Sequence, residues 1–276
     1  GGLRITGGEP LLHKTAYELL DNLVETAAPN LELMVNSNLG VPHSIMGRFI
    51  ERVQPIIAER KVQSFKLYTA LEAWGKKAEY TRFGLDLKVW EKNLVDYLEK
   101  VPTGTVSFMC TYNVLSVTGF LDFLKKVHAL RQKYCQQSRR IEIDISYLSE
   151  PHHLLMNLLP ESAGEYMSKC MQYMKARRDD SDPKCFDSIE VAKFERIVQL
   201  FKSRKMHGFE LHRARADFFR FVTQADSRRN TNFLKVFPEM KTFLRSCEDS
   251  SKIIQFVDHR VLSHSDVNHI PPEVRS

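Results

Sequence analysis

The stretch Leu3-Arg4-Ile5-Thr6-Gly7-Gly8-Glu9-Pro10 joins a short apolar segment to a pair of glycines. Leu3–Thr6 has the composition of a β-strand, and the two residues after it have no Cβ atom. Glu9 adds a carboxylate suited to a ligand ammonium group, and Pro10 ends the strand and begins the turn into a helix. The pattern predicts a strand whose carboxyl end lets a ligand approach the backbone closely. The alternative is a tight strand-to-helix turn with an exposed glutamate.

Five apolar segments of strand length occur between residues 1 and 148, and amphipathic helical patterns separate them. The predicted strands are Leu3–Thr6, Leu31–Asn36, Ser64–Ala70, Thr105–Thr111 and Ile141–Ser146. This regular alternation predicts a parallel sheet with helices outside it, in which right-handed crossovers bring all the strand-end loops to one rim. Ligands bind at that rim in such folds. We therefore expect one parallel sheet in chain order, with Glu9 and Thr69 on the same rim.

The pattern changes after Pro151, where no strand is predicted. A polar segment, Asp179–Pro183, separates two of the helical patterns in this part of the chain. The predicted helices lie near Ala163–Met174, Phe186–Phe201, Phe209–Thr223 and Thr231–Cys247. We therefore predict an α/β domain over residues 1–150 and an α-helical C-terminal region over residues 151–276.

The composition is that of an ordinary globular chain, with 43% hydrophobic and 27% charged residues among 276. No apolar run approaches the about 20 residues that span a bilayer, so we expect no membrane partner. The net charge of +6 is spread over helices without a basic stripe, so we expect no nucleic-acid partner either. An odd number of widely spaced cysteines indicates a reducing compartment and a cytoplasmic protein: Cys110, Cys135, Cys170, Cys185 and Cys247.

No metal site is predicted within this chain. The closest two cysteines are 15 residues apart, so there is no C-x-x-C motif. His259, His264 and His269 are spaced by five residues and would not share one face of a helix.

Several strand ends resemble motifs of the radical S-adenosylmethionine (SAM) enzymes. Residues 3–12, which extend the opening stretch through Leu11-Leu12, closely resemble the second-strand motif of that superfamily. Supporting resemblances, at the ends of the later strands, are Asn36-Ser37-Asn38, Thr69–Gly75 with Glu79–Gly84, Met109–Asn113 and Asp144–Leu148. The nearest group is the twitch-domain-containing radical SAM proteins, whose members share Phe237-Pro238-Glu239-Met240 near the C-terminus. The resemblance covers most of the chain.

The resemblance implies a (β/α)6 partial barrel, of which five strands are counted here. The first strand of the family is missing, and with it the C-x-x-x-C-x-x-C motif whose thiolates hold a [4Fe–4S] cluster. The chain is therefore either a fragment that begins just before the second strand or a cluster-free relative. Its start at Gly1 and not Met, at the edge of a strand, favours the fragment. The expected fold is α/β: a partial (β/α)6 TIM-like barrel of parallel strands, its first βα unit missing, with an α-helical C-terminal region.

The resemblance also implies an enzyme that binds SAM at the cluster and cleaves it reductively. The resulting 5′-deoxyadenosyl radical would abstract a hydrogen from a substrate that the sequence does not identify, and a reductant such as flavodoxin or ferredoxin would be a partner. Glu9 would accept the SAM ammonium beside Gly7 and Gly8, Arg82 would pair with its carboxylate, and Thr69 would bind its ribose. The other residues implied at this site are Pro10, Asn36, Asn113, Tyr147 and Leu148.

Each of these residues also has a structural interpretation. Arg82 suits a helix surface, Asn36 suits a turn, and Thr69, Asn113 and Tyr147 suit the capping of strand ends. For the whole chain, one alternative is a cluster-free, non-catalytic α/β barrel that binds a ligand. Another is an unrelated partial α/β barrel that binds a phosphate at its glycine turn. A C-x-x-x-C-x-x-C motif encoded upstream would settle the first interpretation.

Overall fold

The computed structural model describes residues 1–263, which contain five β-strands and ten α-helices. The strands are β1 Gly2–Ile5, β2 Ala28–Asn36, β3 Val62–Ala70, β4 Thr105–Tyr112 and β5 Ile141–Tyr147. The helices are α1 Lys14–Glu25, α2 His43–Ala58, α3 Lys76–Thr81, α4 Leu87–Lys100, α5 Phe120–Tyr134, α6 Gly164–Lys175, α7 Ser188–Ser203, α8 Gly208–Arg229, α9 Phe233–Val236 and α10 Lys241–Ser263.

All five strands form one parallel sheet in the order β1-β2-β3-β4-β5. The prediction of a parallel sheet in chain order is therefore confirmed, and the fold is α/β. Glu9 and Thr69 both stand at the carboxyl ends of parallel strands, as expected. Each crossover carries at least one helix, which is the connection that a parallel pair of strands requires.

The two faces of the sheet differ, because successive side chains of a strand point in opposite directions. One face is apolar and lies under the helices, with Leu33, Leu67 and Phe108 fully buried. The other face carries side chains that are exposed or half-buried, among them Arg4, Glu32, Asn36, Lys66, Tyr68, Glu142 and Asp144. Parallel sheets are usually covered on both faces, so this open, charged face is unusual.

Arg4 on β1 reaches across this open face. Its Nε donates to Oδ1 of Asn36 on β2 at 2.9 Å, and its guanidinium lies 4.6 Å from the ring centre of Tyr68 on β3. Its terminal nitrogen lies 3.3 Å from Sδ of Met109 on β4. In a flat sheet, three strand spacings would separate β1 from β4 by about 14 Å. A single side chain that contacts three other strands indicates that the sheet curves around it, and we call this face the concave face.

The β5 edge of the sheet is capped by a buried ion pair. Arg131 of α5 donates through Nε to the Ile141 carbonyl at 3.0 Å, and the carboxylate of Glu190 on α7 accepts from the Ile143 N–H at 3.1 Å. The two side chains bind each other at 2.5 Å and are 0% and 5% exposed. The edge strand therefore has side-chain partners where a sixth strand would otherwise pair.

The β1 edge is different, because β1 pairs with β2 alone among the described residues. Every residue of β1 is exposed or half-buried, and Leu3 is 37% exposed. An apolar edge strand of this kind is a template for pairing with another strand.

The C-terminal region of residues 151–263 is helical, as predicted, apart from short turns and an isolated bridge between Arg178 and Phe186. The prediction of a single helix over Thr231–Cys247 is wrong, because the structure divides this segment into α9 and α10. Pro238 has no N–H and disfavours the helical conformation of the residue before it, and Phe237 has φ −122° and ψ 62°. None of the helices in residues 1–263 combines the length and apolar character needed to cross a lipid bilayer.

Tyr112 supports a prediction about stability. Its ring packs 5.1 Å from Phe120 and 5.5 Å from Phe194, and its buried hydroxyl has no hydrogen-bond partner among the described residues. Tyr112→Phe should raise the free energy of unfolding by about 1 kcal/mol in urea denaturation, because it removes an unpaired buried hydroxyl. As a control, Tyr97→Phe should lower it by about 1 kcal/mol, since the Tyr97 hydroxyl donates to the Thr105 carbonyl. Equal losses of unfolding free energy in both variants would contradict the assignment of the Tyr112 hydroxyl as an unpaired group.

Candidate functional site

The turn after β1 is built from two glycines and the carboxylate of Glu9. Gly7 and Gly8 have φ angles of +100° and +56°, which L side chains rarely adopt. Glu9 accepts from the Leu11 N–H at 3.2 Å and, through its other oxygen, from the Asn38 N–H at 2.8 Å. The Glu9 carboxylate therefore ties the carboxyl end of β1 to that of β2.

Glu9 keeps the capacity to bind a further donor. A carboxylate has about four lone-pair positions, and the two backbone N–H groups use two of them. The residue is half-buried, and Pro10 behind it is buried and begins a short 3-10 turn. No atom lies within 4 Å of the position that a Cβ on Gly7 would occupy. The turn therefore combines an available carboxylate with open space beside the backbone, which suits an ammonium group.

Arg82, at the end of α3, binds a buried carboxylate on the connection that follows β3. Its terminal nitrogen donates to Glu72 at 2.5 Å, and the side chains are 33% and 4% exposed. Burial raises the pKa of the Glu72 carboxyl, and the Arg82 guanidinium opposes that rise. The Nε of Arg82 is buried and has no partner among the described protein groups. An orphaned buried donor of this kind is what a bound anion or water satisfies.

Thr69 and Asn113 are not brought to the concave face. Thr69 is fully buried on the helix side of β3, where its hydroxyl accepts from the Trp90 indole N–H at 3.2 Å. The Asn113 carboxamide is used within its own turn, because it accepts from the Leu115 N–H at 2.9 Å and donates to the Thr111 carbonyl at 2.8 Å. The capping interpretation therefore describes both side chains, and neither is placed to contact a ligand on the concave face.

The remaining sequence-predicted residues fall into two places. Asn36 lies on the concave face, bound to Arg4. Tyr147 is the last residue of β5 and Leu148 follows it, so both lie at the far end of the rim. The Tyr147 hydroxyl donates to Asn157 of the C-terminal region at 3.4 Å, and the Leu148 N–H donates to the Tyr112 carbonyl at 3.3 Å. Gly7, Gly8, Glu9, Pro10 and Asn36 thus form one group around the ends of β1 and β2.

Charged residues of the concave face were missed by the sequence reasoning. Lys66 on β3 binds Glu142 on β5 at 2.7 Å across the intervening strand β4, and Asp144 binds Lys193 of α7 at 2.7 Å. Glu72 was quoted only as part of a motif and was given no role. The available signal was the alternation of charged and apolar residues in Ile-Glu-Ile-Asp-Ile, which places both carboxylates of β5 on one face.

Among the side chains that the structure describes, no group of three His, Cys, Asp or Glu is arranged to hold a metal ion. Burial raises the pKa of the Cys170 and Cys247 thiols to about 12, which disfavours the thiolate that a metal requires. His264, His269 and the side chain of His259 lie outside the described residues. The described residues therefore do not provide the ligands of a [4Fe–4S] cluster.

In comparisons with known proteins, no family model, no curated protein and no solved structure matches the chain.

Proposed function

We propose that this chain is the core of a radical SAM enzyme of the twitch-domain-containing group, which cleaves SAM reductively and uses the 5′-deoxyadenosyl radical to abstract a substrate hydrogen. The observation that carries the proposal is the Glu9 carboxylate, held by two backbone N–H groups beside two left-handed glycines at the carboxyl end of a parallel strand. Ligands of α/β barrels bind at this end of the strands.

In this proposal, the chain's own residues bind and orient SAM, which supplies the radical chemistry when it is bound. Glu9 accepts hydrogen bonds from the methionine ammonium. Arg82, positioned by the buried Glu72, pairs with the methionine carboxylate. Thr69 has no role in this proposal, because it is fully buried on the helix side of β3, where its hydroxyl accepts from the Trp90 indole N–H.

A partial (β/α)6 barrel is part of the same proposal. It is supported by the curvature around Arg4 and by the charged, uncovered concave face. The difference between the sheet edges supports one further parallel strand beside β1, since β5 is capped by Arg131 and Glu190, whereas the outer edge of β1 has no strand partner among the described residues. The unit that carries this strand would supply the cluster ligands. Five cysteines without a disulfide accord with the cytoplasm and a flavodoxin or ferredoxin reductant.

A reconstitution experiment tests this proposal in two arms. Residues 1–276 alone, treated anaerobically with iron and sulfide, should take up no stoichiometric four-iron cluster, because their cysteines are scattered and mostly buried. The chain extended by the coding sequence upstream of Gly1 should take up one cluster and then bind SAM. Iron content, absorption spectra and calorimetric titration with SAM are the measurements. Four-iron uptake by residues 1–276, or an upstream sequence without three closely spaced cysteines, would contradict the proposal.

The second candidate is a cluster-free α/β module that binds a ligand without catalysis. The observation that favours it is that both Glu9 oxygens accept from backbone N–H groups. These two hydrogen bonds are enough to explain Glu9 as a structural residue that holds the ends of β1 and β2 together. A phosphate site at the glycine turn has less support. The Glu9 carboxylate already accepts from the Leu11 and Asn38 N–H groups, and its charge would repel a phosphate.

A further inference from the structure

The C-terminal region contains a cavity of about 770 Å³ between α6, the end of α7 and the start of α8. Its volume lies within the range of small-molecule sites. Apolar side chains that are buried or half-buried line it, including Val198, Phe201 and Leu211. The cavity therefore has an apolar lining against which part of a ligand could be removed from water.

The charged residues around this cavity are predominantly cationic. Five cations line it, against two carboxylates: Lys169, Lys202, Arg204, Lys205 and Arg215, with Glu161 and Glu165. Lys205 is paired with Glu161, and Arg215 donates to the Leu158 carbonyl at 2.9 and 3.1 Å. Lys169, Lys202 and Arg204 make no ion pair within the part of the chain that the structure describes. The described residues thus do not compensate the local excess of positive charge.

One polar residue connects this cavity to the carboxyl end of β5. The Asn157 amide donates to the Leu200 carbonyl at 3.3 Å and to the Arg204 carbonyl at 2.5 Å, which holds the chain at the end of α7. Its side-chain oxygen accepts from the Tyr147 hydroxyl. A smaller recess of about 250 Å³ is lined by Tyr147, Asn157 and Arg204, so it adjoins the cavity on the side of the sheet. The position of the Arg204 backbone is therefore set by strand β5 through Asn157.

We propose that this cavity binds an anionic small molecule with an apolar body, namely an aromatic or aliphatic phosphate or carboxylate. Lys169, Lys202 and Arg204 bind the anionic group, and the surface around Val198 and Phe201 takes the apolar body. Burial of the apolar body excludes water from part of the site and strengthens the charged contacts beside it. This inference does not depend on SAM binding or on an iron–sulfur cluster.

Calorimetric titration of residues 1–276 with four small probes tests it. 1-Naphthyl phosphate and 1-naphthoate carry both features, 1-naphthol has only the apolar body, and inorganic phosphate has only the charge. At least one of the two aromatic anions should bind at least about tenfold more tightly than either partial probe, since each partial probe lacks one source of affinity. The better of the two anions identifies the phosphate or the carboxylate class. Equal binding of 1-naphthol and both anions, or no binding of either anion, would overturn the proposal.

Two exposed cations of α7 provide a matched pair of variants. Lys202→Ala should lower the affinity for the more tightly bound of the two aromatic anions about fivefold. The weak affinity for 1-naphthol should stay unchanged, because only the anion loses a charged partner. Arg196→Ala removes one positive charge from the same helix, outside the cavity, and should leave both affinities unchanged. Circular dichroism of both variants checks that the overall helix content is unchanged. An equal loss in the two variants would show that only the general charge of the surface matters, which would overturn the assigned site.

Discussion

Replacing Glu190 by leucine should lower the free energy of unfolding by about 3–5 kcal/mol, because it leaves a fully buried arginine without its counter-charge. Arg131 is 0% exposed, and both Glu190 oxygens accept from its guanidinium, at 2.5 and 3.0 Å. The substitution also removes the acceptor of the Ile143 N–H at the edge of β5. Both losses affect the same edge strand, so the last strand of the sheet should separate first.

Urea unfolding, followed by circular dichroism, measures this loss. Glu195→Leu is the control on the same helix, since its ion pair with Lys175 is half exposed at both ends and should contribute less than about 1 kcal/mol. The double variant Arg131→Met/Glu190→Leu should recover part of the stability, because it leaves no uncompensated buried charge. If Glu190→Leu lowers the free energy of unfolding no more than Glu195→Leu does, the Arg131–Glu190 pair does not stabilise the β5 edge of the sheet.

If the proposed function is right, Glu9→Gln should weaken SAM binding about tenfold or more in the upstream-extended, cluster-loaded protein. A hydrogen bond to a charged group contributes about 1.5–3 kcal/mol, and the amide replaces a full negative charge beside the ligand ammonium. The amide keeps one oxygen, which can accept from only one of the two backbone N–H groups, and its NH2 faces the other, so the substitution also weakens the link between the ends of β1 and β2. Calorimetric titration with SAM under anaerobic conditions measures the affinity.

Glu18→Gln is the matched control for this experiment. Glu18 is an exposed carboxylate of α1, paired with Lys14 on the surface, and the same change of charge there should leave SAM affinity unaltered. Iron content is measured in both variants so that a lost cluster is not mistaken for lost SAM binding. Unchanged SAM affinity in Glu9→Gln with normal iron content would mean that Glu9 only holds the ends of β1 and β2 together. That result would contradict the assignment of Glu9 as a SAM ligand.

The strands could be predicted from the sequence because each is a short apolar segment between turn residues. Ser64–Ala70 and Ile141–Ser146 lie within the observed strands Val62–Ala70 and Ile141–Tyr147. Apolar periodicity is a local property, and it indicates an element before any long-range contact is known. The division of the last predicted helix at Pro238 was also a local signal, but the apolar positions on either side of it obscured the break.

The candidate site was less predictable, because it depends on which way each side chain points. Thr69 stands at a strand end as expected, yet its register in β3 directs its hydroxyl to Trp90. Glu190 lies 59 residues from Arg131, so their pairing depends on how α7 packs beside β5. No local pattern contains that information. The Glu9 turn was the exception, since two glycines, a carboxylate and a proline form it within four consecutive residues.

The order of the sheet has a consequence for how the chain folds. Every strand pairs with the next one in the sequence, so each pairing closes a loop of similar size. Gly2 lies opposite Glu32, 30 residues later, and Lys66 lies opposite Thr105, 39 residues later. Such loops cost similar amounts of conformational entropy, and no pairing has to wait for a distant segment of the chain. Assembly can therefore proceed by adding one neighbouring strand at a time.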